Sequence, residues 1–245
     1  MRHIRPWVLC AVLVSPLLSN AQSYFQQQVD YRIDVRLNDA TSELFAHEEF
    51  DYTNNAPRTL DTLWIHLWPN AYRDRNTALC RQKDSQGHFD LHFATPEERG
   101  YIDSLDFRSN GQKLAWGLEP DNPDIAWLVL PKAISTGEKI TITTPFHVKI
   151  PGAQFSRLGH TGQAFYITQW YPKPAVYDNS GWHAMPFLHQ GEFYSEFGSF
   201  DVSITLPANY VVGATGQLQD NPVEQAWMDS LAALPESSLL RSRSD

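Results

Sequence analysis

Alternation of apolar and polar residues is the sequence feature that most restricts how this chain can fold. It recurs in four segments, at residues 31–37, 44–52, 140–150 and 200–206. Because successive side chains of a strand point to opposite faces, this pattern predicts half-buried antiparallel strands with one apolar side. We therefore predict an all-β fold, a large antiparallel saddle-like or sandwich-like domain. The apolar positions are Tyr31, Ile33, Val35, Leu37, Leu44, Ala46, Phe50, Tyr52, Ile140, Ile142, Phe146, Val148, Ile150, Phe200, Val202, Ile204 and Leu206.

Turn signals separate these segments. Asn110-Gly111 is the strongest, because both central positions of a two-residue hairpin turn require positive φ. Further turns are predicted at 119–124 and 135–139, where Pro, Asp, Asn, Ser and Gly cluster. Residues 70–100 are polar and lack the alternation, so we expect a long insertion or a short helix with a loop there.

The composition changes again after residue 220. Residues 221–245 are rich in helix formers, with apolar residues spaced by three and four from Val223 to Leu234. This spacing predicts an amphipathic helix that begins near Pro222, within a short C-terminal tail. Since a lone terminal helix has no partner to pack against, we expect the chain to be the N-terminal part of a longer protein.

The N-terminus is typical of a secretory signal peptide, which we assign to residues 1–21. Arg2 and Arg5 precede an apolar run at 7–18, and Ser19-Asn20-Ala21 supplies small residues for cleavage. The run is too short for a stable membrane anchor, and no other segment approaches transmembrane length. We expect an exported protein (periplasmic, outer-surface or extracellular); a buried N-terminal helix is the alternative interpretation.

Charge and cysteine content narrow the partners of the remaining chain. Of the 19 basic residues, Arg2 and Arg5 lie in the leader, so 17 remain against 28 acidic residues and the net charge is near −11. Nucleic acids and anionic membranes are poor partners for such a surface. Cys80 is the one cysteine left, so no internal disulfide is expected, and residues 22–220 are interpreted as one large β domain.

The histidines do not form a recognisable catalytic or metal site. The segment AHEEFD (residues 46–51) approaches the zinc motif H-E-x-x-H, but Asp51 stands where the second histidine is required. On a strand, His47 and Glu48 would also point to opposite faces, so we interpret His47 as an exposed strand histidine. His88 and His92, with Asp90 between them, could share one face of a strand, but no third ligand is identifiable. We predict no catalytic residue and no metal ligand in this chain.

The remaining candidate for a functional site is an aromatic and glycine-rich tract at residues 154–216. Pro172 and Pro174 stiffen its centre, QWYPKPAVYD, and restrict the residues that precede them. Trp170, Tyr171 and Trp182 therefore have little conformational freedom. The tract is either a preorganised binding surface or a rigid corner whose aromatic side chains fill the core.

Three segments resemble the N-terminal β domain of the aminopeptidase-N-like zinc metallopeptidases, the gluzincins, and most of all a bacterial exported branch. They begin with YRIDVRLNDATSELFAHEEFDYTNN, VKIPGAQFSRLGHTGQAFYITQWYPKPAVYD and GEFYSEFGSFDVSITLPANYVVGATG, and the similarity covers nearly all of residues 24–220 in order. The resemblance implies a β domain that leans against a catalytic domain absent from this chain. It implies zinc for the full-length protein, on an H-E-x-x-H helix that is not present here, and peptides as substrates.

The resemblance also implies a substrate-binding role for Gln169 and Tyr171. Thr168-Gln169-Trp170-Tyr171-Pro172 is similar to the T-Q-x-E segment with which the family binds the free α-amine of its substrate. Tyr171 stands where many aminopeptidases have glutamate, so a cation–π contact would replace a carboxylate. This departure puts strict aminopeptidase specificity in question.

Two other interpretations remain open from the sequence. The chain could be a stand-alone β-sandwich module that binds glycans or proteins, with Trp170, Tyr177 and Trp182 as the contact residues. It could also be the product of a degraded gene, which the polar end LLRSRSD would fit.

Overall fold

The computed structural model describes residues 24–219 and 221–234, and it is built mainly from β-strands. The all-β fold predicted from the alternation is confirmed, whereas the proposed signal peptide lies outside the described residues. The strands are β1 (Gln28–Asn38), β2 (Glu43–Thr53), β3 (Leu60–His66), β4 (Tyr101–Asp103), β5 (Arg108–Ser109), β6 (Gln112–Lys113), β7 (Trp116–Leu118), β8 (Ile125–Ile134), β9 (Lys139–Lys149), β10 (Gly159–Thr161), β11 (Ala164–Tyr166), β12 (Lys173–Pro174), β13 (Tyr177–Asp178), β14 (Gly181–Trp182) and β15 (Phe200–Thr205). The helices are a 3₁₀ turn (Trp68–Tyr72), α1 (Ala78–Ser85) and α2 (Pro222–Ala232).

The chain divides into two compact units, Met1–Pro207 and Ala208–Asp245. Among the described residues, all strands lie in the first unit, and the second contains α2, whose N-cap is Asn221. The Asn221 side chain accepts a hydrogen bond from the Glu224 backbone amide, so the helix begins where the sequence predicted. Neither α-helix in the described part of the chain has the length and apolar character needed to cross a bilayer.

A seven-stranded sheet forms the larger layer of the first unit. Its strand order is β15-β1-β2-β9-β5-β6, and β4 also pairs with β9. β1, β2 and β9 are antiparallel and paired along their whole length, which sets Tyr31 opposite Phe50 and Phe50 opposite Ile142. The predicted apolar faces of these three strands therefore coincide and form one buried surface.

A four-stranded sheet, β12-β3-β8-β7, supplies the second layer. Its fully buried side chains, such as Leu63, Ile65 and Leu128, join those of the larger sheet in a single core. The Asn110-Gly111 turn between β5 and β6 has φ values of 49° and 76°, as a two-residue hairpin requires.

The interpretation of residues 200–206 as a half-buried antiparallel strand is wrong. β15 is an edge strand that pairs with β1 in parallel, with Phe200 beside Tyr31 and Ile204 beside Val35. Phe200, Val202 and Ile204 continue the apolar face of the sheet, yet 52%, 37% and 43% of their surfaces remain exposed. Alternation predicts which residues share a face, but it does not reveal strand direction or whether that face is covered.

A close backbone approach attaches β15 to its neighbour. The Asp30 carboxylate accepts hydrogen bonds from the Ser199 amide and hydroxyl, and Tyr31 N donates to Ser199 O over 2.8 Å. Gly198 makes this approach possible, because a Cβ at that position would lie 1.6 Å from Val29 O.

The insertion at residues 70–100 contains a short helix, as expected, and it is packed into the core. Thr77 caps α1: its hydroxyl accepts a hydrogen bond from Cys80 N and donates one to Ala71 O. Leu79, Cys80 and Leu91 are fully buried, so this polar segment contributes apolar anchors that its poor periodicity did not predict.

Glu48 is the one carboxylate that β2 places on its buried face. The side chain is fully buried, and neither of its oxygens has a hydrogen-bond partner among the described residues. Its register neighbours are Ile33 and Thr144. Burial raises the pKa of Glu48 well above its usual value, so the neutral acid is favoured.

We expect Glu48→Gln to change how stability depends on pH. The unfolded carboxyl ionises near pH 4.5 while the folded one keeps its proton, so the wild-type protein loses stability as the pH rises above 4.5. The variant lacks this loss, and its advantage should grow by about 1.4 kcal/mol per pH unit until the folded pKa is reached. Urea unfolding between pH 4.5 and 7.5 would measure the difference.

Glu49→Gln is the matched control, since Glu49 lies on the opposite face in an exposed ion pair with Arg32. Its free energy of unfolding should differ from wild type by less than about 1 kcal/mol. Wild-type and Glu48→Gln curves that stay parallel across this pH range would contradict the buried position of Glu48.

Candidate functional site

The proline-stiffened tract at residues 169–178 is attached to the smaller sheet. β12 pairs with β3, so that Lys173 lies opposite His66 and Pro174 opposite Ile65. Ala175 N also donates a hydrogen bond to Trp64 O over 2.7 Å. As an edge strand, β12 tolerates a proline that a central strand would reject. The tract is thus a rigid corner, and the question is which side chains it presents.

Gln169 stands at a strained point of this corner. Its φ of 53° lies in the left-handed region, which non-glycine residues adopt mainly in turns and at functional sites. Its half-buried side chain turns toward the tract, where Oε1 accepts a hydrogen bond from Lys173 Nζ.

Tyr171 packs over the larger sheet instead. Its ring meets Tyr31 edge-on with centroids 5.4 Å apart, and lies 5.5 Å from the Trp170 ring and 6.0 Å from the Phe200 ring. Burial raises the pKa of Tyr171 well above its usual value, so its phenol stays neutral. The two residues predicted to bind substrate therefore have different neighbours, and their joint role remains a prediction.

Lys173 is the functional candidate that the sequence analysis missed. It is only 4% exposed, its Nζ lies 3.9 Å from the centre of the Trp68 ring, and Ser195 Oγ is 2.8 Å from Nζ. No carboxylate forms an ion pair with it in the described part of the chain. Burial lowers the pKa of Lys173 to about 7, while the Trp68 face favours the ammonium form.

His66 completes the polar cluster beneath Lys173. Its ring stacks on Trp68 with centroids 4.4 Å apart, and its Nε2 accepts a hydrogen bond from Met185 N. Burial, reinforced by the nearby Lys173, lowers the pKa of His66 to about 3, so the imidazole is neutral at physiological pH. A lysine between two prolines in an aromatic tract was the only sequence signal for this cluster.

Of the three aromatic residues considered for glycan binding, Tyr177 is buried in the core, and Trp170 and Trp182 are partly buried and pack against it. Trp170 contacts Phe146, and Trp182 contacts Tyr177 at a centroid distance of 4.9 Å. The neighbouring pocket, which includes Glu196, measures about 150 Å³ and is smaller than common ligand sites of about 300 Å³ or more.

The described residues do not provide the catalytic zinc site that the resemblance implies for the longer protein. His47 is exposed, as expected, and Glu48 is buried on the other face of β2. His47 and Glu48 therefore cannot bind one ion together, and no step of zinc chemistry is assigned to these residues.

His88 and His92 do not share a strand face, because residues 88–92 form a turn region instead. His92 Nδ1 lies 2.8 Å from Asp84 Oδ2, and Cys80 Sγ lies 4.0 Å from the same oxygen. These three donor atoms lie within 4.8 Å of one another and could hold a metal ion. Burial raises the pKa of Cys80 to about 11, so metal binding would have to displace the thiol proton.

Comparison with known proteins leaves the family open. No protein-family model and no curated protein matches the sequence. Similar solved structures include an M1 zinc metallopeptidase mutant from Deinococcus radiodurans bound to a Tyr-Ser-Ala substrate, with 11% identity, 80% of this chain and 36% of that chain covered, and a TM-score of 0.44. The M1 zinc metallopeptidase from the same organism has 12% identity, 78% and 35% coverage, and a TM-score of 0.42. The chain spans about a third of these proteins' length, and no residue takes a role from them.

We expect Lys173→Met to remove a pH-dependent contribution to stability. Between pH 7 and pH 10.5 the unfolded lysine keeps its proton while the folded one has lost it, so wild-type stability rises with pH. Relative to the variant, this rise should approach about 1.4 kcal/mol per pH unit above pH 7. Below pH 7 both states are protonated and the two curves should run parallel.

Urea unfolding at pH 6 to 9 would test this expectation, with Lys132→Met as the control. The Lys132 side chain is 84% exposed, so its substitution should leave the pH dependence as in the wild type. A wild-type slope equal to that of Lys173→Met above pH 7 would show that the amine is not held in a desolvated site.

Cys80 should resist thiol reagents while the protein is folded. Its side chain is fully buried, and its thiol holds its proton at pH 8 because the pKa is about 11. In a Cys10→Ser background, a colorimetric disulfide reagent at pH 8 should label Cys80 only after urea is added. Complete labelling within minutes in buffer alone would contradict this packing.

Proposed function

We propose that this chain is the N-terminal, non-catalytic domain of an exported zinc metallopeptidase with aminopeptidase-like activity. Its role is to dock the catalytic domain and to form one wall of the substrate cleft. The catalytic zinc and its ligands belong to a part of that protein outside this sequence. The proposal combines the resemblance of the three sequence segments with one structural observation, the uncovered apolar end of the larger sheet.

That observation concerns the β15 edge. Phe200, Val202 and Ile204 extend the core-facing side of the sheet, but no layer of the described structure buries them. Scattered exposed apolar residues are common, whereas an aligned apolar stripe that continues a core favours a docking surface. A separate domain that packs against this face would bury it.

The tract predicted to bind substrate borders the same face. The Tyr171 ring lies 6.0 Å from the Phe200 ring. Both rings also pack on Tyr31, Tyr171 edge-on and Phe200 stacked at a centroid distance of 4.6 Å. A domain docked at β15 would therefore stand beside Tyr171 and the corner that holds Gln169. This proximity supports a cleft with one wall from each domain, in which Gln169 and Tyr171 contact the peptide.

The reading frame beyond Asp245 provides the first test. An H-E-x-x-H motif with a later glutamate ligand, followed by zinc-dependent peptide hydrolysis by the longer protein, would support the proposal. A stop codon directly after Asp245, with a stable product that binds sugars, would contradict it and favour the stand-alone module.

The docking face predicts a specific mutational effect. Ile204→Lys should weaken the association of this chain with the separately expressed catalytic segment by about tenfold, because the charge would be desolvated in the interface. Val129→Lys is the matched control, since Val129 is 41% exposed and Ile204 is 43% exposed. Calorimetric titration would compare the two variants, and equal affinities would place the docking surface elsewhere.

A further inference from the structure

The Lys173 ammonium fixes the orientation of the Gln169 amide. A charged lysine has only donors, so the amide atom that faces Nζ must be the acceptor Oε1. Ser195 Oγ and the Trp68 ring hold the ammonium from other sides, and the side chain is buried. The acceptor half of the Gln169 amide is therefore directed into the protein.

The donor half of the same amide is available. Nε2 of Gln169 makes no hydrogen bond in the part of the chain that the structure describes, and it is not among the buried unpaired atoms. The left-handed backbone at Gln169 and the rigid segment that follows it keep the side chain in this corner. Its two N–H groups can thus donate to an incoming group.

A free ammonium is a poor ligand for an amide in this orientation. To reach Oε1, the substrate ammonium would have to share this oxygen with Lys173 Nζ, because both nitrogens would donate to it. The two nitrogens would then be about 5 Å apart, and their like charges would repel. A carbonyl oxygen has the opposite requirement, because it accepts from N–H donors and carries no positive charge.

We propose that Lys173 is a positioning residue that turns the Gln169 donors toward the substrate, so that this wall recognises a backbone carbonyl oxygen instead of a free α-amine. The inference rests on the proposed function, in which Gln169 lines the substrate cleft. It changes one part of that function: the site takes peptides with a blocked or internal amine, whereas aminopeptidase-like activity requires free N-termini.

Side-chain amide signals of the ¹⁵N-labelled chain at pH 6 provide the test, because Lys173 is charged below pH 7. Gln169→Ala identifies the Gln169 signal, and a soluble paramagnetic agent reports whether its N–H groups face solvent. The probes are N-acetyl-alanyl-alanine amide and alanyl-alanine amide at millimolar concentration. We expect solvent-facing donors and about tenfold preference for the acetylated peptide.

Three variants separate positioning from folding. Lys173→Arg retains a charged donor and should keep the preference, whereas Lys173→Met should abolish or reverse it. Lys132→Met, at a lysine that is 84% exposed, is the control and should change the preference by less than about twofold. Well-dispersed backbone spectra establish that each variant is folded, and Lys173→Arg provides the decisive comparison if Lys173→Met is not.

The outcomes distinguish this inference from the proposed function. The inference would be overturned if the Gln169 N–H groups were protected from solvent, or if the wild-type chain preferred the free-amine peptide. It would also be overturned if folded Lys173→Met kept the wild-type preference. Each of these results would leave the docking role intact. Solvent-facing donors with no response to either peptide would contradict the substrate wall itself, and the inference would fail with it.

Discussion

The shared register of β1, β2 and β9 is the constraint on which the rest of the structure depends. β2 is paired along its whole length with both neighbours, so the apolar faces of all three strands meet on one side. A shift by one residue would exchange the buried and exposed faces of a strand and would bring Asp51 and His47 inward. The smaller sheet closes over this surface, and the pairing of β12 with β3 attaches the corner that holds Lys173 to it.

The larger sheet was largely predictable because its information is local. Alternation identified β1, β2 and β9, and Asn110-Gly111 identified a hairpin, since each depends on neighbouring residues alone. The parallel attachment of β15 was not predictable, because it depends on the long-range approach of Gly198 to β1.

The candidate site was harder to predict for the same reason. Lys173 lies far from Trp68 in sequence, and its desolvated position arises only when two sheets and the 3₁₀ turn come together. Glu48 follows the alternation onto the buried face, but the alternation does not show that its carboxylate lacks a hydrogen-bond partner there among the described residues. Gln169 and Tyr171 were singled out by resemblance, and their different surroundings could not be read from adjacent positions in the chain.

Gly198 gives the β15 edge an independence that the core strands do not have. Besides its pairing with β1, the edge depends on a backbone approach at Gly198 that admits no side chain, whereas β1, β2 and β9 are held by pairing along their whole length. A side chain at position 198 would collide with Val29 O and would push β15 away from β1, whereas the pairing of β1, β2 and β9 does not involve this residue. The pairing of the central strands and the attachment of this edge are therefore encoded at different positions of the sequence.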